Sequence, residues 1–350
     1  MTSMKSRLLI LGLILFSLVI VTACVSQIPS DSSVPKTPAM TTVKVAYMPI
    51  ISFGPLFIAQ EEGYFSRQGI NVEFEKFQAT SAALPLMING DIAVSGGQLF
   101  PGLVNSVSKG AHVRIVADKG MILNGSCNSV AFLVRKDLVE NGAVRTMADL
   151  KGKKVASSSD QSYGMFRAIA MGNLTTDDVE MVDMPSAASV AAFETGTIDA
   201  SFLMEPYITQ AVRQGKAVVF LPGEVFIPNY TTPLYYGPAF TDTNPELGRR
   251  FMVAYLQGVR QYNQGKTDRN IGILLNYTGM NRDLLEQSCW VPVAENGEIP
   301  QRSVREYMDW MIVNKKITQN VDENQLFDMS YVNYANSVLA NSTKSGTPGQ

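Results

Sequence analysis

From Val43 to Tyr47 the chain alternates, with Val43 and Val45 set against Lys44, the period-two pattern of a strand that buries one face. The loop that follows carries Pro49, Gly54 and Pro55. Proline suits the first turn of a helix, where its missing N–H has no partner to lose, and Gly63 then ends that helix. The same unit recurs. Ile70–Glu75 alternates, and Ala79–Ala82 opens a helix that closes at Gly90. Ile92–Ser95 is a short buried strand ending at Gly96-Gly97-Gln98, a helix over 99–109 stops at Gly110, and Val113–Ala117 forms a fourth strand. Strands alternating with helices of this length predict a mostly parallel sheet covered on both faces.

Near Arg135 the pattern restarts. Ser129–Val134 is a strand, and Val155-Ala156 leads into the loop Ser157–Gly164, rich in helix-capping side chains, ahead of a helix near 165–171. Val179–Met184 is the next strand and 189–193 is helical. Gly196–Leu203 gives a turn and strand ending at Glu205-Pro206-Tyr207, and 217–221 closes the second series. Gly90-Asp91-Ile92-Ala93 answers Gly196-Thr197-Ile198-Asp199, so two similar lobes are expected. Tyr230–Phe240 reads as an aromatic strand returning antiparallel to the first lobe. Five helices follow, over 245–264, 267–277, 281–287, 303–314 and 330–339. The expected organisation is 43–134 with 229–342 as lobe 1, 135–228 as lobe 2, and 343–350 as a disordered tail.

The first 24 residues differ in kind. Lys5 and Arg7 precede an uncharged apolar run over 8–21, shorter than the roughly 20 residues of a membrane span, with the layout of a secretion signal. Val21-Thr22-Ala23-Cys24 resembles a lipobox, in which Cys24 becomes the lipidated first residue of an extracytoplasmic, membrane-tethered protein. Residues 25–42, rich in Ser, Pro and Thr, read as a flexible tether. With 46% hydrophobic residues the rest has material for a sizeable core. Without the leader the chain is mildly acidic, which argues against nucleic acid as a partner. A single histidine, His112, and three scattered cysteines leave no zinc knuckle or His-dependent triad, so no metal, cofactor or catalytic residue is expected. Cys127 and Cys289 fit either free thiols or a bridge.

Several short motifs together resemble one family. Gly63-Tyr64-Phe65, Gln68–Glu73, Gly90-x-Ile92, Gly110-x-x-Val113-x-Ile115-Val116-Ala117, Asp149–Lys153, Gly196-x-Ile198-Asp199-Ala200 and Asp328–Val332 with Ala335 follow in order. The set is similar to the nitrate, sulfonate, taurine and thiamine-precursor family of ABC-importer solute-binding proteins. Ala93 departs from the aspartate more usual in that family. The resemblance implies an α/β fold of the periplasmic-binding-protein type II, two lobes joined by two crossing strands. It also implies a binder, not an enzyme, that closes over a small-molecule solute and hands it to an ABC permease and its ATPase. Enzymes on this fold, a thiamine-pyrimidine synthase or a menaquinone-pathway dehydratase, are the rival class, and a ligand-binding sensor is another.

Ligand contacts are expected from the strand-to-helix loops. On one side these are Met48, Ser52, Phe53, Gly54, Thr80, Ser81, Gly97 and Gln98. On the other they are Ser158, Asp160, Ser162, Tyr163, Glu205 and Tyr207, with Tyr235 and Tyr236 on the return strand. Packing aromatics at a hinge, a strand-end charge at Glu205 and a helix cap at Asp160 are the plainer roles for the same residues. These loops hold no Lys or Arg, while a carboxylate wants a donor and an aromatic ring offers a stacking face. A neutral planar heterocycle with N–H groups, riboflavin or a hydroxymethylpyrimidine, is therefore the expected solute. Helix N-termini can also hold a sulfonate or nitrate through backbone N–H groups, which keeps the anion as the alternative.

Overall fold

The computed structural model describes residues 40–345 apart from 124, 126, 128, 159–161 and 320. The leader, Cys24, most of the tether, Asp160 and the last five residues lie outside the described residues.

Among the described residues ten strands form two five-stranded mixed sheets. The first holds β1 (Thr41–Tyr47), β2 (Ile70–Lys76), β3 (Val94–Gly96), β4 (Arg114–Met121) and β10 (Thr231–Tyr236), in the order β2-β1-β3-β10-β4. The second holds β5 (Val130–Arg135), β6 (Lys154–Ser157), β7 (Glu180–Asp183), β8 (Ala200–Met204) and β9 (Ala217–Pro222), in the order β7-β6-β8-β5-β9. The two orders correspond strand for strand. In each, three parallel strands meet one antiparallel strand in the fourth place, β10 against β3 and β4, and β5 against β8 and β9.

Central strands are buried on both faces, so β10 carries Leu234, Tyr235 and Tyr236 at no more than 1% exposure. Between β1 and the helix Gly54–Glu61 the chain makes one short turn at Ile51–Phe53, and Pro55 sits in the helix's first turn as its chemistry requires. The helix Pro245–Tyr262 buries one face against the first sheet's core. Asn244 caps its N-terminus by accepting from the Leu247 amide. The last helix runs Ser330–Ser345, past the 339 at which the sequence pattern ends it and three residues into the 343–350 assigned to a tail. Its apolar positions, Tyr331, Val332, Ala335 and Leu339, are buried against the first sheet's core and extend the helix that far.

Cys127 and Cys289 form a disulfide, with Cα atoms 5.5 Å apart. It ties the connection between β4 and β5, which passes from the first sheet to the second, to a segment near the end of the chain.

Candidate functional site

The carboxyl ends of parallel strands leave outward-pointing backbone groups, and in open α/β sheets ligands bind there. Here a cavity of about 170 Å³ is lined from both sheets. The first sheet contributes Met48–Ser52 after β1, Phe77–Thr80 after β2, Gly97 and Gln98 after β3, and Lys119 and Gly120 on β4. The second contributes Ser158 after β6, Pro185–Ala187 after β7, Met204, Glu205 and Tyr207 at and after β8, and Ser129 and Val130 at β5. Ile122, Tyr230, Thr232, Cys289 and Val291 complete the wall.

Of the residues expected from sequence, Met48, Ser52, Thr80, Gly97, Gln98, Ser158, Glu205 and Tyr207 line this cavity. Six others do not. Tyr235 and Tyr236 are core residues of a central strand, and the Tyr236 hydroxyl donates to the Gly248 carbonyl between Phe240, Phe251 and Tyr331. Tyr163 stacks on Tyr307 at 4.2 Å, packed by the late helix Gln301–Val313. Gly54 is buried at a helix start, where a Cβ would lie 2.7 Å from the Tyr262 ring. Phe53 is buried behind the cavity wall. Ser81 sits in the first turn of the helix Thr80–Ile88, one residue past the lining Thr80. Ser162 opens the helix Ser162–Ala170.

The feature missing from the sequence reading is Lys119. Its strand extends to Met121, four residues past the Ala117 at which the sequence pattern ends it, and Lys119 is 1% exposed. Its Nζ donates to Ser52 Oγ at 2.8 Å and lies 4.3 Å from the centre of the Phe53 ring, a cation–π contact. The stem runs over Gly96, where a Cβ would come within 2.5 Å of Lys119 Cδ. The next glycine, Gly97, makes room for Thr80, whose Oγ1 would stand 1.9 Å from a Cβ there. No carboxylate of the described residues lies within ion-pair distance of Lys119. Neighbouring strand residues point to opposite faces, so Asp118 turns away from it. Asp118 instead accepts from the Gly120 amide, the Thr231 hydroxyl and the Ala294 amide, at 3.1, 2.7 and 2.8 Å.

Burial penalises the ammonium form and brings Lys119 down from 10.5 to about 7, with Asp118 pulling the other way. Burial likewise pushes Asp118 upward, against its three donors and Lys119. The folded pKa of Lys119 thus lies below the unfolded one, so between about 7 and 10.5 the unfolded chain binds more protons. Stability of the empty protein should therefore rise across that window and be flat with respect to this group below it. Urea denaturation at pH 6, 8 and 10 measures this, and Lys119→Met should remove the trend.

Glu205 is the other charged residue on the wall. Burial raises its pKa, opposed by its hydrogen bonds: Oε1 accepts from Thr209 Oγ1 at 2.7 Å and the Cys289 amide at 3.1 Å, and Oε2 from the Thr209 amide at 3.1 Å. It therefore holds the 289 segment against the second sheet. Gly96→Ala tests how Lys119 is aimed. The added methyl must push the lysine stem aside, so anion affinity should fall by about tenfold with little change in fold, read by titration calorimetry.

Residues 50–264 match the model of the family described as NMT1/THI5 like. The chain belongs to the NMT1/THI5-like family. A putative binding protein of Brucella abortus is 25% identical over 246 residues, 69% of this chain and 71% of that protein. The fold is that of periplasmic binding proteins of type II. The periplasmic nitrate-binding protein NrtA of Synechocystis PCC 6803 superposes with a TM-score of 0.72 at 14% identity, covering 90% of this chain and 92% of that one. The alkanesulfonate-binding protein SsuA of Xanthomonas axonopodis pv. citri, bound to MOPS, gives 0.67 at 18%, covering 83% and 98%. The desulfurization enzyme DSZB shares the fold at 0.63 and 14%, covering 85% and 99%. In this NMT1/THI5-like chain the lysine on β4 overturns the premise, drawn from the loops, that the cleft has no basic residue.

Proposed function

We propose that this protein is the extracytoplasmic solute-binding component of an ABC importer, tethered through Cys24, which closes two lobes over a small anion-bearing solute and passes it to a permease and its ATPase. The observation that carries the reading is Lys119, buried in a cleft between two matching sheets with no carboxylate of the described residues as its counterion. A buried cation without a partner is costly, and an anionic solute supplies the missing charge. Family membership and the names of the nitrate- and alkanesulfonate-binding neighbours point the same way. No helix among the described residues is long and apolar enough to cross a membrane.

The enzyme alternative would draw on cysteine or histidine chemistry, and the positions of these residues bear on it. Cys127 and Cys289 are both in the bridge, and His112 pairs with Asp242 at 2.6 Å on the exposed surface. Riboflavin and hydroxymethylpyrimidine lose their main support once Lys119 stands in the cavity. A thermal-shift panel decides between the charge classes. Anions among nitrate, bicarbonate, taurine, alkanesulfonates and simple carboxylates should stabilise the protein, by about 2.7 kcal/mol at a hundredfold excess over Kd for the right one. A shift with riboflavin or hydroxymethylpyrimidine and with no anion would overturn the reading.

A further inference from the structure

We infer that the solute is a monocarboxylate on a compact apolar body, about the size of benzoate, with its acid group on Lys119 and Ser52 and its body against the aromatic and aliphatic wall. This rests on the reading of the cleft as a solute site and narrows it to a class. The wall of the cleft is chemically mixed, with a polar part at Lys119 and a larger apolar part. In the polar part, the Lys119 Nζ and the Ser52 hydroxyl lie 2.8 Å apart, and since Ser52 Oγ accepts from the amine, its own proton is free to donate. Two adjacent donors suit the two oxygens of one carboxylate. Much of the remaining wall is apolar or aromatic, with Phe77, Ile122, Val130, Tyr207 and Tyr230.

Three observations limit what fits. The volume, about 170 Å³, exceeds what a bare nitrate or bicarbonate fills, and is close to the roughly 150 Å³ at which an apolar cavity takes up benzene. A small hydrated ion would leave that apolar wall facing water. Next, Lys119 is the one cation on the wall among the described residues, enough for a monoanion and short by one charge for a dianion. Finally, Glu205, the other charge on the wall, already accepts three hydrogen bonds from its own chain, of the roughly four a carboxylate can take, so it is largely engaged and favours a monoanion over a zwitterion.

The test is titration calorimetry of the whole protein with six probes: benzoate, cyclohexanecarboxylate, benzenesulfonate, acetate, nitrate and benzyl alcohol. Benzoate or cyclohexanecarboxylate should bind about 100-fold more tightly than acetate or nitrate, the gain expected from burying a ring's apolar surface, and benzyl alcohol should not bind. Benzenesulfonate reports the head group, and tighter binding of it than of benzoate would overturn the carboxylate assignment. Equal binding of acetate or nitrate and the ring acids would overturn the class while leaving a solute-binding protein. Equal binding of benzyl alcohol and benzoate would remove the role of Lys119. Binding of none of the six, together with no response to any solute in the thermal-shift panel, would bring down the functional reading as well; binding of none with a clear response to another solute would bring down this inference alone.

Discussion

Lys119→Met should cost anion affinity about 100-fold while making the empty protein more stable. The two halves of that result have one cause. In the empty cleft the lysine is buried against Phe53 and Gly96 with a single hydroxyl partner, so its charge is poorly compensated. Methionine follows the same course over Gly96 without the amine, and replacing an isolated buried charge by an apolar side chain of similar shape stabilises by about 1 to 3 kcal/mol. With an anion bound, the same ammonium becomes half of an ion pair in a poorly hydrated site. Losing a hydrogen bond to a charged group there costs about 2 to 3 kcal/mol, near a hundredfold in Kd. Calorimetry and urea denaturation of the variant read the two effects separately. Unchanged affinity would take Lys119 out of the site, and a loss of stability would make it a structural residue. The stability gain should shrink as pH rises from 7 toward 10.5, where the wild-type amine is already neutral.

The second large effect concerns the disulfide. Replacing both Cys127 and Cys289 by serine opens a closed loop spanning 162 positions, which by chain-entropy reasoning lowers stability by about 3 to 5 kcal/mol. For a protein of this size that is a fall of roughly 5 to 8 °C in melting temperature. Affinity should weaken too. Cys289 forms part of the wall and its amide donates to Glu205, while Met121 on β4 donates to the Pro292 carbonyl just beyond. The bridge thus fixes a stretch of wall beside Lys119 and couples it to the connection between the sheets. Denaturation of the double variant and of the reduced wild-type protein should give matching losses. A double variant as stable as the wild type would show that the bridge contributes nothing to the folded state.

Much of the architecture is visible in the residues because each signal is local. Alternation at Val43–Tyr47, Pro55 in a first helical turn and the matching Gly90 and Gly196 turns announce strand-helix units, and the congruent order of the two sheets follows from that repetition. Eight of the expected contacts reach the cavity for the same reason: Ser52, Gly97, Ser158, Glu205 and the others stand at or just beyond the carboxyl ends of parallel strands, or in the turn that follows. What failed depends on tertiary partners. Tyr235 and Tyr236 lie in the return strand as expected, yet that strand is inserted between β3 and β4, so its side chains meet core on both faces. Tyr163 is drawn away by Tyr307, a residue 144 positions later whose helix packs there. Lys119 is not legible because two charged residues, Asp118 and Lys119, follow the mostly apolar run Val113–Ala117. Only the donors from Gly120, Thr231 and Ala294 make a buried aspartate tolerable and carry the strand onward. One local signal was available: Gly96-Gly97 at the end of the neighbouring strand leaves space that a long side chain from next door can fill.

The most direct measurement is a crystal structure of the protein with the solute it retains on purification. The expected result is an acidic group with an oxygen about 2.7 to 2.9 Å from Lys119 Nζ, the spacing of a charge-assisted hydrogen bond, and the rest of the molecule between the two sheets. A solute that turns an uncharged edge to Lys119, or that sits outside the cleft between β4 and β8, would contradict the assignment.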